Sequence, residues 1–148
     1  MESKLNLLFE TSKECREKTH RCKIAQSAVL QIYKPDNGIK NKKLENKLFT
    51  EHPPKLCDCA IIYEREKLAL VEIKCGKVTK SLVKDVIAKL ENTSKIIRHE
   101  KLNISKYMLL YQRFDNDQIK KMLAMKKIYG QPLISKKYEN TAIKIEEK

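Results

Sequence analysis

Residues 56 to 74, LCDCAIIYEREKLALVEIK, constrain the fold more than any other stretch of this chain. Two apolar runs, Cys59 to Tyr63 and Leu68 to Ile73, flank the charged triplet Glu64-Arg65-Glu66. Both are rich in Ile, Val, Leu and Tyr and too short for helices, so the stretch reads as a β-hairpin. With the turn centred on Arg65, residues whose numbers sum to 130 face each other, which sets Asp58 directly across from Glu72. Side chains alternate along a strand. Glu72 and Lys74 therefore share a face with Leu68 and Leu70, while Ala69, Val71 and Ile73 fill the other. A strand apolar on both faces is a central strand of a covered sheet, and charges at its end lie at the rim, where a cleft can form.

Directly opposed side chains have Cβ atoms roughly 4.5–5.5 Å apart, a distance at which like charges destabilise the pair. At least one of the two carboxylate pKa values should be raised. A pair of carboxylates with a lysine two residues on makes a small oxygen cage suited to Mg²⁺ or Mn²⁺, beside an ammonium able to hold a water or a phosphate oxygen. The competing reading, an edge hairpin with its charges in solvent, fits poorly with a strand that is apolar on both faces.

These residues resemble the signature of the PD-(D/E)XK, or restriction-endonuclease-like, nucleases. There an Asp opens one strand, Glu-x-Lys ends the next, and an amphipathic helix follows. The matching positions are Asp58, then Glu72-Ile73-Lys74, then a helix beginning near Thr79. The first Pro of the signature is displaced: Pro53-Pro54 lie ahead of Asp58, and Cys57 holds the adjacent position. The resemblance spans residues 56 to 111 and rests on the strand-turn-strand-helix context more than on the string itself. It implies an α/β fold, a restriction-endonuclease-like central mixed sheet of four to five strands with helices on both faces. It also implies metal-dependent hydrolysis of phosphodiesters, most simply in DNA, with Asp58, Glu72 and the carbonyl of Ile73 holding Mg²⁺ or Mn²⁺ and Lys74 completing the catalytic set. Family members often carry a further acidic ligand on the first helix, for which Glu14 is the candidate, with Glu17 and Glu10 near it. Nucleases of this fold often pair subunits, so a homodimer is compatible with the resemblance, although no dimer signature in the chain supports it.

Charge agrees with a polyanionic partner. The net charge is +13 over 148 residues, and its distribution says more than its size. Residues 1–55 carry 12 Lys/Arg against 7 Asp/Glu and residues 75–148 carry 17 against 8, whereas 56–74, with 3 against 4, is the one net acidic segment. Basic groups that hold phosphates around carboxylates that hold a metal are what cutting nucleic acid needs. Lys77, Lys80 and Lys84, at the start of the helix after the motif, are candidate phosphate contacts, assisted by the helix N-terminus. A lysine-rich surface serving only solubility is the bland alternative.

Length fits one domain, residues 1–148, with a core over about 12–135 and a polar tail over 136–148. No run approaches the ~18 apolar residues of a membrane span, and MESKLNLLFE lacks a basic region ahead of an apolar core, so a cytoplasmic protein is expected. The five cysteines, an odd number without framework spacing, are expected as reduced thiols, with Cys57 and Cys59 on the face opposite Asp58. His20, His52 and His99 show no ligand spacing; His52 reads as an exposed loop residue near the cleft.

Along the chain, Leu5 to Phe9 suit a short helix or a packed arm. Ser12 reads as an N-cap with Glu14 in the first turn, and Ile24, Ala25, Ala28, Val29, Ile32 and Tyr33 recur at helical spacing until Pro35 stops them. Ile39 to Pro54 is expected as a strand or an irregular lead-in. Cys75-Gly76 should break the Glu72 strand. Thr79 should cap a helix with the stripe Leu82, Val83, Val86, Ile87, Leu90 and Ile97. Ser105 to Tyr111 should be a strand parallel to the Glu72 strand, Asp115 to Tyr129 a helix, and Leu133-Ile134 an edge strand.

The reading that follows is a metal-dependent nuclease. Two others compete with it: a basic nucleic-acid-binding module on the same fold that no longer cuts, and a protein whose basic surface meets an acidic partner.

Overall fold

The computed structural model describes residues 1–16 and 31–138, together with the backbone of 23–25. In chain order it contains α1 (Glu2–Leu8), β1 (Glu10–Ser12), β2 (Glu14–Arg16), β3 (Lys23–Ala25), β4 (Gln31–Lys34), a 3-10 turn (Pro35–Asn37), α2 (Lys42–Leu48), β5 (Cys59–Tyr63), β6 (Lys67–Val78), α3 (Lys80–His99), β7 (Lys106–Phe114), α4 (Asp117–Ala124), β8 (Lys127–Ile128) and β9 (Gln131–Lys137). Seven strands form one mixed sheet in the order β1-β4-β5-β6-β7-β9-β8, and β2 and β3 pair separately.

The hairpin has the expected register. Cys59 pairs with Val71 and Tyr63 with Lys67 in antiparallel fashion. Glu64 and Arg65 turn the chain at φ 44° and 75°. β6 lies between β5 and the parallel β7, so it is a central strand. Its two faces feed two cores. Leu68 and Leu70 join the larger one with Leu5, Leu44, Val83, Leu90, Ile119 and Tyr107. Ala69, Val71 and Ile73 join the other with Ile32, Ile61, Met108 and Leu110.

All four described helices bury apolar residues in the first of these cores. On the opposite face, among the described residues, the only buried side chain from outside the large sheet is Cys15 of β2. Among the described residues the helices thus lie on one face rather than on both, and the large sheet has seven strands rather than the expected four to five. Glu72 and Lys74 share the parity of Leu68 and Leu70, which aims both at the helical layer.

Several local expectations change. The segment read as a first helix is β-structure where it is described: Ser12 ends β1, Glu14 belongs to β2, and Ile32 and Tyr33 pair with Ile61 and Ala60. Apolar residues at 24, 25, 32 and 33 fit a helical stripe and a pleated strand equally well, and pairing of the first two with β2 and of the last two with β5 decides for strands. Glu17, His20, Cys22, Ala28 and Val29 lie outside the described residues. Lys42–Leu48 is a helix capped by Asn41, whose side chain accepts the Leu44 N–H, in place of the expected strand or irregular lead-in. β6 does not stop at Cys75-Gly76. Gly76, at φ 112°, supports a bulge that shifts the β6/β7 register between Lys74 and Lys77, and the strand continues to Val78.

α3 begins at the Thr79 cap as expected. α4 is shorter than the span Asp115 to Tyr129, because Asn116 caps it and the chain leaves it at Met125 to form β8. β9 is an interior strand, parallel to β7 and antiparallel to β8. The core starts before residue 12, since Leu5, Leu8 and Phe9 are buried. The tail from Lys136 is partly held: β9 reaches Lys137, and the Tyr138 N–H donates to the Tyr111 carbonyl at 2.6 Å. The cysteines are not all reduced. A disulfide joins Cys15 to Cys59 across a Cα separation of 5.7 Å, and Cys75 is disulfide-bonded too. Cys57 keeps its thiol, but on the helical side, because the lead-in to β5 has not yet taken up strand alternation.

Candidate active site

Asp58 and Glu72 meet where β5 begins. The Asp58 N–H donates to Glu72 Oε1 at 3.0 Å, and the Ile73 N–H donates to Asp58 Oδ2 at 2.8 Å. Each carboxylate thus accepts a hydrogen bond from the other strand's backbone, which fixes both rotamers. Within a strand the N–H and C=O of one residue point to the same side, so the Ile73 carbonyl also faces the side where Asp58 lies. The lead-in to β5 is strapped to α3: the Cys57 N–H donates to Thr93 Oγ1 at 2.9 Å, and Asn92 Nδ2 donates to the Lys55 carbonyl at 3.0 Å.

Glu72 is fully buried and Asp58 is 5% exposed. Burial pushes the Glu72 carboxyl up to about 8; the Asp58 charge adds to this, and Lys89 and Lys74 oppose it. Its Oε2 accepts no hydrogen bond, but two ammonium groups stand near it, Lys89 at 3.3 Å and Lys74 at 3.5 Å. Both also approach Asp85 Oδ2, at 3.2 and 3.6 Å. Burial alone would raise the Asp85 pKa, yet the hydrogen bond and charge of Lys89, with Lys74 and Lys55, bring it below the ordinary carboxylate range.

A cavity of about 650 Å³ opens beside the pair, lined by Asp58, Lys74, Lys89 and Lys55 together with Asp36, Glu45 and Lys42. Glu45 projects from α2 and is buried; its oxygens lie 3.5 Å from Lys42 Nζ and 3.4 Å from His52 Nδ1. His52 is an exposed loop residue, as expected, and reaches the cavity through Glu45. Asp36 pairs with Lys34 at 3.3 Å.

Asp58, Glu72, Ile73 and Lys74 thus lie together where β5 meets β6. Glu14 does not join them through a helix; it lies in β2 and pairs with Arg16 at 2.6 Å. Lys77 pairs with Asp115 at 3.4 Å, and Lys80 and Lys84 line a separate groove with Ile87, Met122 and Lys126 between α3 and α4. Sequence reasoning missed Asp85, Lys89, Glu45 and Asp36. Asp85 and Lys89 left one trace, an i,i+4 acid–base pair flanking the apolar stripe of α3. Glu45 left none, because the pattern over 39–54 reads as a strand or an irregular lead-in.

Hard oxygen donors suit Mg²⁺ or Mn²⁺. Among the described residues no three His, Cys, Asp or Glu side chains converge as a metal cage. Two carboxylates and a carbonyl nevertheless fit Mg²⁺, which keeps several waters and is commonly held by one or two carboxylates plus substrate phosphates. The buried Glu72 Oε2, without a hydrogen bond, is the atom whose chemistry such an ion would satisfy. No protein-family model, curated protein or solved structure matches this chain. No helix among the described residues is long and apolar enough to cross a membrane.

Proposed function

We propose that this protein is a metal-dependent nuclease, acting first of all on DNA, with the β5–β6 site on a restriction-endonuclease-like sheet. One observation carries the reading: a buried carboxylate pair, fixed by reciprocal backbone hydrogen bonds, with Lys74 beside it at the edge of an open cavity. A folded chain tolerates two adjacent buried carboxylates at a cost, and a divalent cation removes that cost. Asp58, Glu72 and the Ile73 carbonyl would hold Mg²⁺ or Mn²⁺. When bound, the ion supplies Lewis acidity toward the phosphate and toward the attacking water. Lys74 orients that water with its ammonium and stabilises negative charge that grows on the phosphate oxygens. The remaining lysines of the cavity supply attraction for the backbone. A cytoplasmic setting is part of this reading, and the Cys15–Cys59 disulfide is the feature to check against it, since persistent disulfides belong mostly to oxidising compartments.

The test is direct. Purified protein is incubated with supercoiled, linear and single-stranded DNA and with RNA, in Mg²⁺, Mn²⁺ or EDTA. Cleavage is expected with metal and absent in EDTA, and Lys74→Ala should lower it on the order of 10²–10³-fold, the loss typical of removing one charge-stabilising group, while the fold stays intact by circular dichroism. Undiminished cleavage by Lys74→Ala protein would overturn the mechanism. Binding without cleavage in any arm would favour the non-cutting basic module.

A further inference from the structure

Three lysines from three separate elements converge on one carboxylate, Asp85. Lys55 comes from the lead-in to β5, Lys74 from β6 and Lys89 from α3, and their ammonium groups lie 3.9, 3.6 and 3.2 Å from Asp85 oxygens. All three lysines line the cavity that Asp58 also lines. Their distances to Asp85 exceed the ~2.7–2.9 Å of a tight charge-assisted hydrogen bond. Lys89 hydrogen-bonds Asp85, and Lys55 and Lys74 stand within ion-pair reach of the same carboxylate, so three cations gather on one anion and leave positive charge for a second oxyanion that enters the cavity. Lys74 and Lys89 also straddle Glu72 Oε2, so any divalent cation taken by that oxygen would turn both ammonium groups toward the cavity by charge repulsion.

We infer that Lys55, Lys74 and Lys89 form a phosphate-binding site on the cavity wall, and that its ligand is a phosphate group of nucleic acid. The inference deepens the nuclease reading and rests on it for the identity of the ligand. It also moves the phosphate grip away from Lys80 and Lys84, which stand at the α3/α4 groove. Lys77, held by Asp115, is not among the cavity lysines either. A cavity of about 650 Å³ holds more than one phosphate, which is consistent with a nucleotide unit entering it.

Binding in EDTA separates this inference from the cutting reaction. Labelled oligonucleotides, single-stranded and duplex, each with a 5′-hydroxyl or a 5′-phosphate, are titrated by fluorescence anisotropy over a series of salt concentrations. The variant Lys55→Gln/Lys89→Gln should bind at least about tenfold more weakly, and its log–log salt slope on duplex should flatten by up to ~1.8, at ~0.9 for each phosphate no longer neutralised. Lys80→Gln/Lys84→Gln should keep the wild-type slope. A loss seen with both kinds of end assigns internal phosphodiesters to the site, and a loss confined to the 5′-phosphate assigns a terminal phosphate; either supports the inference. A wild-type slope in folded Lys55→Gln/Lys89→Gln protein, or an equal loss in the Lys80/Lys84 variant, overturns it. Should Lys89→Gln impair folding, Lys55→Gln alone tests the site, since that side chain is 63% exposed and its removal should still flatten the slope by about 0.9. Failure of the nuclease reading would show differently, as lysine-dependent binding by a protein that never cuts.

Discussion

Glu72 is the residue at which the electrostatics of this site are most exposed to measurement. Its pKa is displaced from an ordinary 4.5 to about 8, by burial first and by Asp58 second. Between those values the folded protein holds a proton that the unfolded chain has released. Stability of the metal-free protein should therefore fall as pH rises from about 4.5 to 8 and level off above. Asp85, whose pKa is lowered, acts only at the acid end, below 3.8, and the raised Lys89 stays charged throughout. A one-unit displacement of a pKa corresponds to about 1.4 kcal/mol, so the decline is on the order of a few kcal/mol. Glu72→Gln should abolish the slope and be at least as stable as wild type at pH 8. Urea unfolding in EDTA at a series of pH values checks this. A Gln variant that keeps the wild-type slope would show that another group carries it.

At the scale of elements, the site depends on three pieces meeting: the β5 lead-in, β6 and α3. Asn92 and Thr93 tie the lead-in to α3, and the i,i+4 pair Asp85–Lys89 meets Lys74 and Glu72 midway along β6. Just past Lys74, the bulge at Gly76 lets the strand continue while its register to β7 shifts. A Cβ at Gly76 would meet no atom within 4 Å, so only the positive φ of 112° opposes a side chain there. Gly76→Ala should accordingly cost about 1–2 kcal/mol, the scale of a left-handed backbone conformation in a residue with a Cβ. Denaturant melts of the variant and wild type under identical conditions measure that cost. A neutral Gly76→Ala would mean that the bulge relaxes freely.

At the scale of the molecule, a sheet of seven strands carries all its described helices on one face, and the carboxylate pair sits between sheet and helices. A cation bound there binds only the folded chain, because the unfolded chain does not bring Asp58 and Glu72 together. Millimolar Mn²⁺ should raise the melting temperature of wild type, by an amount equivalent to about 2.7 kcal/mol if the ion is present at a hundred times its dissociation constant. Asp58→Asn and Glu72→Gln should lose that response while melting no lower than wild type in EDTA. Variants that are destabilised in EDTA, together with a wild type indifferent to Mn²⁺, would make the pair a structural ion network with Lys74 and Lys89.

The hairpin was legible because its information is local. The alternation of Leu68 to Ile73 and the turn at Glu64-Arg65-Glu66 set the register, and the register puts Asp58 against Glu72 whatever the rest of the chain does. The cap at Thr79 and the apolar stripe of α3 were legible for the same reason. What the sequence left open depended on partners distant along the chain. Gln31–Lys34 carries apolar residues that suit a helix or a strand, and only pairing of Ile32 with Ile61 and of Tyr33 with Ala60 makes it β4. The one-sided helical layer, the disulfide between Cys15 and Cys59, and the approach of Lys89 and Asp85 to Glu72 arise only when elements stack. Spacing within a segment specifies which face a side chain occupies; what that face meets is fixed by how the elements pack, which no local pattern encodes.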